Sequence, residues 1–193
     1  MLYWLVRGFA KMIWMPLFRV RVKGRDHVPA AGPAIFCCNH IFWGDPVTLA
    51  TAVKRPVRFM AKDEIFRVPL LGALVRAVGA FPVKRGTADR SSLKQALKIL
   101  EDGGVFGIFP EGTRSRTRQL LRPEPGVVWI AVRSRTPVIP MAIAGDYRLG
   151  GPITVHIGPA VNLADLYERK LTTGSMEEGA SRIQSAMADL LAE

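Results

Sequence analysis

Hydrophobic positions along the chain switch between the two-residue period of a strand and the 3.6-residue period of a helix. Phe18 to Lys23 alternates as a strand does, whereas Ser91 to Glu101 places its apolar residues on one helical face. The pattern predicts strands at 18–23, 33–38, 57–61, 80–84, 105–109, 138–143 and 153–157, and helices at 1–17, 46–53, 69–78, 91–101, 126–135 and from 175 onward. Alternating strands and helices favour an α/β fold, with a largely parallel mixed sheet flanked by helices.

Two of the predicted helices begin with capping signals. Asp45 before Pro46 predicts an N-cap followed by proline at the first helical position. Ser175 with Glu178 predicts a capping box that opens the terminal helix. The first of these signals places a carboxylate just after a buried strand, where α/β proteins build their sites.

Length and composition indicate one basic domain. No linker, repeat or low-complexity run divides the 193 residues, so we expect a single domain at 18–193 preceded by a helix at 1–17. The net charge of +11 implies an anionic partner, such as nucleic acid, anionic lipid or a phosphate-bearing substrate. Because no helix-turn-helix, zinc spacing or aromatic platform accompanies the charge, we expect no nucleic-acid partner. A hydrophobic content of 49% and a mean hydropathy of +0.16 favour a membrane-facing surface instead.

The N-terminal helix is predicted to lie in a membrane interface. Its apolar run is too short and too interrupted to span a bilayer, which needs about 20 residues. Arg7 and Lys11 are four residues apart and share a face that suits lipid headgroups, while Trp4 and Trp14 supply rings for the acyl boundary. The alternative is an ordinary first helix that packs on the core.

The two cysteines favour a cytoplasmic setting. Cys37 and Cys38 are adjacent in a strand pattern, so they point to opposite faces and a disulfide between them would be strained. We expect both to be reduced and buried. No cleavable signal peptide is expected, so the predicted location is the cytoplasmic face of the cell membrane, peripheral or monotopic.

A histidine and an aspartate stand at the end of the strand predicted at 33–38. His40 follows that strand, and Asp45 lies across a short loop that Gly44 makes flexible. In this arrangement a carboxylate can hold one imidazole nitrogen while the other acts as a general base. The alternatives are a histidine that is only a satisfied polar residue and an aspartate that is only a cap.

A second polar motif, Phe109 to Ser115, follows another predicted buried strand. It places the carboxylate of Glu111, the guanidinium of Arg114 and a flexible backbone donor in one loop. Arginine is suited to bidentate capture of a phosphate. The alternative is a solvated turn with a surface ion pair between Glu111 and Arg114.

Together these motifs resemble the glycerolipid acyltransferase family, in particular the 1-acyl-glycerol-3-phosphate (lysophosphatidate) acyltransferases. The resemblance covers roughly residues 18–160, with a motif-bearing core at about 33–145. Four ordered blocks carry it, at Asn39–Asp45, Gly79–Arg85, Phe109–Ser115 and Val138–Ile143. The first and third blocks are specific in combination.

The resemblance implies transfer of a fatty acyl group from a thioester to the free hydroxyl of lysophosphatidate, which gives phosphatidate in phospholipid synthesis. His40 would take the hydroxyl proton, and Asp45 would orient it. Acyl-coenzyme A or acyl-acyl-carrier protein would be the cosubstrate, with no bound cofactor and no metal. The partners would be a lysophospholipid acceptor, an anionic membrane surface and, with that donor, acyl-carrier protein.

Further residues receive roles from the resemblance alone. The residues expected at the acceptor's phosphate are Arg85, Glu111, Gly112, Thr113 and Arg114. Those expected to support the motifs are Asn39, Pro110 and Pro140. Because a carboxylate repels phosphate, two roles stay open for Glu111: holding an arginine, or contacting a glycerol hydroxyl.

Two departures from the family pattern keep other functions open. Lys84 stands where many members carry an acidic residue, and Arg122 stands near the place of a frequent lysine. The acceptor could therefore be glycerol-3-phosphate or another lyso-lipid. Two alternatives of other classes are a thioesterase and a non-catalytic basic membrane-binding module.

Overall fold

A computed structural model of the protein describes residues 2–83 and 90–193. The helices are α1 (Leu2–Leu17), α2 (Asp45–Ala52), α3 (Asp63–Arg67), α4 (Leu71–Ala77), α5 (Arg90–Glu101), α6 (Gly126–Ser134), α7 (Ala164–Tyr167) and α8 (Thr173–Ala192). The strands are β1 (Arg21–Lys23), β2 (Ala34–Cys38), β3 (Val57–Lys62), β4 (Phe81–Val83), β5 (Val105–Ile108), β6 (Val138–Gly145) and β7 (Ile153–Ile157).

The strands form one mixed sheet in the order β1-β7-β6-β2-β5-β3-β4. The five strands from β6 to β4 are parallel to one another. β7 runs antiparallel to β6, and β1 runs parallel to β7 at the edge. The predicted α/β fold with a largely parallel sheet and flanking helices is therefore confirmed.

Strand β2 lies at the centre and is buried on both faces. Phe36 and Cys38 enter the core under α2, against which α1 packs, whereas Ile35 and Cys37 enter the core under α5, α6 and α8. Both cysteines are free, and burial raises the pKa of each thiol. The split places them on opposite faces of the sheet, as strand geometry requires.

The start of α2 differs from the prediction. Gly44 is the N-cap, Asp45 is the first helical residue and Pro46 is the second. Asp45 does not cap the helix, because its carboxylate turns back toward the preceding loop and accepts the backbone N–H groups of Ile41 and Phe42.

The start of α8 also differs. The N-cap is Thr172, and the capping box joins Thr172 to Ser175. The predicted box of Ser175 with Glu178 is wrong by one turn, because Ser175 is the partner that completes the earlier box. Glu178 instead pairs with Arg182, one turn further along the helix.

The five parallel strands bring the sequence motifs to one edge of the sheet. Their carboxyl ends lie together, so His40 after β2, Phe109 after β5 and Asp146 after β6 share that edge. β4 ends there as well. Lys84 and Arg85, which follow it in sequence, lie outside the described residues.

Candidate active site

The structure brings His40 and Asp45 into direct contact. Nδ1 of His40 lies 2.7 Å from Oδ2 of Asp45. The same oxygen accepts the backbone N–H groups of Ile41 at 2.7 Å and Phe42 at 2.8 Å. Asp45 is fully buried, while His40 keeps 9% of its surface exposed at the rim of the sheet. With Nδ1 held, Nε2 is the nitrogen left to exchange a proton.

Aromatic stacking fixes the plane of the imidazole. The His40 ring lies on Phe109, with centroids 4.2 Å apart and planes 21° from parallel. Phe109 in turn stacks on Phe59 at 5.8 Å. Because these rings come from the ends or interiors of neighbouring strands, the sheet itself sets the orientation of the histidine.

The loop after β5 holds His40 by its backbone. Oε1 of Glu111 accepts the His40 N–H at 3.3 Å, and the Ser115 N–H donates to the His40 carbonyl at 2.8 Å. Glu111 is buried and pairs with no described arginine, so the alternative of a surface ion pair between Glu111 and Arg114 is not observed. Its position is that of a support for the histidine loop, and its place among the phosphate ligands stays a prediction.

Burial also changes the proton affinity of Glu111. Removal from water raises the pKa of Glu111 to about 7, against the opposing effect of the His40 and Leu121 backbone N–H groups. The nearby charge of Asp45 raises that pKa further. Oε2 of Glu111 is buried without a hydrogen-bond partner among the described residues. A proton on this oxygen is therefore readily accommodated at neutral pH.

Three residues expected to support the motifs bond to backbone. Asn39 accepts the Ile143 N–H at 2.7 Å and donates to the Ile143 carbonyl at 3.0 Å, which extends the pairing of β2 with β6 past the strand end. The carbonyl of Pro110 accepts from Glu124 at 2.7 Å, and that of Pro140 accepts from Gly158 at 2.9 Å.

The remaining predicted phosphate ligands in this loop face solvent. Gly112, Thr113 and Arg114 are all exposed beside the buried Glu111. Gly112 has φ +66°, a left-handed conformation that favours glycine at this turn. Arg114 forms no ion pair within the described part of the chain, so its guanidinium is available to an anion.

Helix α1 is oriented differently from the prediction for two of its four named residues. Arg7 donates to the carbonyls of Ala50, at 2.8 Å, and Val53 at the end of α2, so it does not share an outward face with Lys11. The reason is that the last carbonyls of a helix lack intrahelical donors and attract a cation. Trp14 also points inward, and its Nε1–H donates to Thr48 at 2.8 Å.

The outward face of α1 is apolar. Lys11 and Trp4 are exposed, as predicted, together with a larger apolar set. Among the described residues, the exposed large hydrophobics fall on α1, at Trp43, around α4 and in the loop after β6: Leu2, Trp4, Leu5, Phe9, Met12, Ile13, Leu17, Trp43, Val68, Leu70, Leu71, Leu74 and Leu149. No described helix is long and apolar enough to cross a membrane.

The sequence pattern did not identify the polar residues beside the dyad, which is the pair of His40 and Asp45. Tyr147 follows β6, and its hydroxyl lies 2.7 Å from Oγ1 of Thr48 on α2. The available signal was the position of Tyr147 just beyond the fourth block, because the ends of parallel strands meet at one edge. No cluster of potential metal ligands occurs in residues 2–83 or 90–193.

The part of the chain that carries this site matches a known protein family. The sequence profile of the acyltransferase family matches residues 19–144. The chain belongs to this family. It is an acyltransferase, with the dyad and its supporting loop inside the matched region.

Individual relatives agree with the family assignment. The chain is 34% identical over 152 residues to 1-acyl-sn-glycerol-3-phosphate acyltransferase of Bacillus subtilis, covering 76% of this chain and 75% of that protein. The Streptococcus pneumoniae protein of the same name is 27% identical over 96% of this chain and 71% of its own length. The crystal structure of the 1-acyl-sn-glycerophosphate acyltransferase of Thermotoga maritima shares the fold, with a TM-score of 0.77 at 22% identity over 99% of this chain and 80% of that one.

Glu111 gives the folded protein a specific pH dependence. Its folded pKa of about 7 exceeds the ordinary value of 4.5, so the folded state binds the proton more tightly and loses stability as the pH rises between these values. Glu111→Gln should abolish this component. Relative to wild type, the variant should gain roughly 2–3 kcal/mol in free energy of unfolding between about pH 4.5 and pH 8, measured by urea denaturation.

Glu101→Gln, at the exposed end of α5, is the control and should show a much smaller pH-dependent difference. An unfolding free-energy difference between wild type and Glu111→Gln that stays constant with pH would contradict the assigned environment of Glu111.

Proposed function

We propose that this acyltransferase transfers a fatty acyl group from a thioester to the free hydroxyl of lysophosphatidate, which yields phosphatidate. The observation that carries the proposal is the buried pair of Asp45 and His40 at the sheet edge, 2.7 Å apart. The names of the Bacillus and Streptococcus relatives support lysophosphatidate as the acceptor.

In the proposed reaction His40 acts as a general base. Its Nε2 removes the proton of the acceptor hydroxyl as that oxygen attacks the thioester carbonyl carbon. Asp45 holds Nδ1–H and stabilises the imidazolium that forms. When the tetrahedral intermediate collapses, the carbon–sulfur bond breaks and the imidazolium returns the proton to the departing thiolate. The products are an ester and a thiol.

This route needs no acyl-enzyme. Cys38 is the nearest thiol in sequence to His40, but it is fully buried in the core and its Sγ faces Oδ1 of Asn39 at 3.4 Å. Burial raises its pKa well above the ordinary value, with the charges of Asp45 and Glu111 adding to the effect. A neutral, enclosed thiol is a poor nucleophile.

Positive charge beside the dyad suits an acceptor that carries a phosphate. Arg114 and Arg116 are exposed and have no ion-pair partner among the described residues. We assign the acceptor's phosphate to Arg114 with the backbone at Gly112 and Thr113, and Arg85 stays a proposed ligand from sequence. The donor, acyl-coenzyme A or acyl-acyl-carrier protein, is anionic in either form and fits the net charge of +11.

The exposed apolar residues support attachment to a membrane surface. The outward face of α1 presents Leu5, Phe9 and Met12, each more than 60% exposed. Burying such side chains in the acyl boundary is favourable, and a basic protein is drawn to anionic headgroups. We place the protein at the cytoplasmic face of the membrane, held peripherally.

The acyl-transfer assay uses purified protein in mixed micelles with lysophosphatidate and palmitoyl-coenzyme A. Wild type should form phosphatidate, while His40→Ala should lose at least about 100-fold in rate, as expected for removal of a general base. The matched acceptor is monoacylglycerol, which lacks the phosphate and should be a much poorer substrate. Lipid products are followed by mass spectrometry.

Three other outcomes of this assay would contradict parts of the proposal. Free fatty acid without phosphatidate from wild type would favour a thioesterase. Equal rates with monoacylglycerol and lysophosphatidate as acceptors would reject the proposed phosphate site. Wild-type activity in a folded His40→Ala variant would contradict the general-base role.

Membrane attachment is tested with the double variant Leu5→Ser/Phe9→Ser. Both side chains point away from α2, so the fold should persist while binding to vesicles with anionic lipid falls about tenfold or more in a sedimentation assay. Leu191→Ser, at the end of α8 on the other side of the sheet, is the control. Unchanged vesicle binding of the double variant would reject α1 as the membrane contact.

A further inference from the structure

The Asp45 carboxylate has one oxygen with several donors and one without. Oδ2 accepts from His40 Nδ1 and from two backbone N–H groups. Oδ1 is buried and has no hydrogen-bond partner of ordinary geometry among the described residues. A buried carboxylate oxygen that lacks a donor costs free energy, so a neighbouring hydroxyl that can donate to it would stabilise the site.

Tyr147 packs beside the segment that carries this carboxylate. Its ring stacks on Phe42 with centroids 4.3 Å apart, and its hydroxyl bonds to Thr48 at 2.7 Å. Phe42 and Thr48 lie three residues before and three residues after Asp45, so these two contacts hold Tyr147 beside the segment that carries the carboxylate. The charge of Asp45 is close enough to the Tyr147 hydroxyl to raise its pKa, in addition to the larger effect of burial.

The direction of the hydrogen bonds follows from counting protons. Trp14 Nε1–H can only donate, so Thr48 Oγ1 accepts it at 2.8 Å. The 2.7 Å contact between Thr48 and Tyr147 can be made in either direction, and the alternative acceptor for the Thr48 proton, the Gly44 carbonyl at 3.4 Å, is a weak one. Donation from Thr48 to Tyr147 is favoured because it leaves the Tyr147 proton for the buried Oδ1 of Asp45, which otherwise lacks a donor. The Tyr147 proton is then free to be donated to Asp45.

We propose that Trp14, Thr48 and Tyr147 form a hydrogen-bonded relay that positions Asp45 from the side opposite His40, and that α1 is thereby part of the active site. The inference rests on the proposed general-base function of the dyad. All three are positioning residues, because they act on the reaction through Asp45.

The charged and titratable groups around Asp45 leave the relay intact at neutral pH. Burial raises the pKa of Tyr147 well above its usual value, and the Asp45 charge adds to that effect, so the hydroxyl remains a donor. The other groups that face the carboxylate are His40, Glu111 and Cys38. Cys38 is kept neutral by burial, so it does not compete for the tyrosine proton.

The packing of α1 makes this coupling specific. The Trp14 indole lies directly against Gly44, where a Cβ atom would overlap the ring. The same indole packs edge-on against Trp43 and also contacts Phe18, with ring centroids 5.7 Å and 4.7 Å apart respectively. The side chain that fixes α1 on the loop of the dyad is thus also the first donor of the relay.

The test compares Tyr147→Phe and Trp14→Phe with two matched controls, Tyr167→Phe and Trp129→Phe. The controls remove the same groups from side chains packed on the other face of the sheet. Tyr147→Phe should lower kcat about tenfold while the KM values change less, because a hydrogen bond to a charged group is lost. Trp14→Phe should lower kcat in the same sense, and the double variant should lose less than the product of the two effects.

Thr48 offers a conservative substitution that should retain function. Thr48→Val removes the hydroxyl at similar volume and should reproduce the loss of kcat, whereas Thr48→Ser keeps the hydroxyl and should retain most activity. Urea unfolding of each variant checks that the fold persists. Equal activity of Thr48→Val and Thr48→Ser would overturn the relay, as would wild-type kcat in both Tyr147→Phe and Trp14→Phe.

A readout independent of turnover separates this inference from the proposed function. The NMR resonance of the His40 Nδ1 proton reports its hydrogen bond to Asp45. It should move in Tyr147→Phe and Trp14→Phe but not in the controls. A moved resonance in a protein that makes no phosphatidate would reject the function and keep the relay. An unmoved resonance in an active enzyme would reject the relay alone.

Discussion

The arrangement of the site depends on one constraint, which is that the fully buried carboxylate of Asp45 must be given donors. An ionised carboxylate removed from water is stable only when hydrogen bonds replace its hydration. The loop after β2 therefore folds back so that the N–H groups of Ile41 and Phe42 point at one oxygen. The His40 imidazole completes that set. The hydrogen bonds that stabilise the buried carboxylate also orient the imidazole of His40.

A second buried carboxylate ties the distant part of the chain to the same loop. Glu111 lies 71 residues after His40, yet it accepts the His40 backbone N–H because β2 and β5 are neighbours in the sheet. The parallel topology brings both strand ends to one edge. Asn39 joins the loop to β6 in the same way. The histidine is held through its ring, its backbone and the residue before it.

Much of this could be predicted from the sequence, where the pattern is local. Hydrophobic periodicity predicted the seven strands and the sheet type, because the pattern of buried and exposed side chains is visible in the order of apolar and polar residues. The pairing of His40 with Asp45 was also foreseeable, since both lie in one short loop. The predictions that were wrong concern side chains that can choose between several hydrogen-bond partners. Asp45 could have capped α2, but its carboxylate binds His40 instead. Arg7 could have faced lipid, but it donates to a backbone carbonyl at the end of α2, a contact that forms only in the folded chain. Glu111 shows the same limit, because its partner is a backbone group in the loop after β2, which is distant in sequence.

The central claim is that the Asp45 carboxylate holds His40 as the base of acyl transfer, and Asp45→Asn tests it most directly. An asparagine oxygen in the place of Oδ2 can still accept the two backbone N–H groups and Nδ1–H, but the neutral amide cannot stabilise the positive charge that forms on His40. The measurement is the single-turnover rate of acyl transfer with enzyme in excess over the thioester. We predict a fall of about 10²–10⁴-fold, with substrate binding and the urea unfolding curve close to wild type. A single-turnover rate near that of wild type would contradict the account and leave Asp45 as a structural residue of the loop.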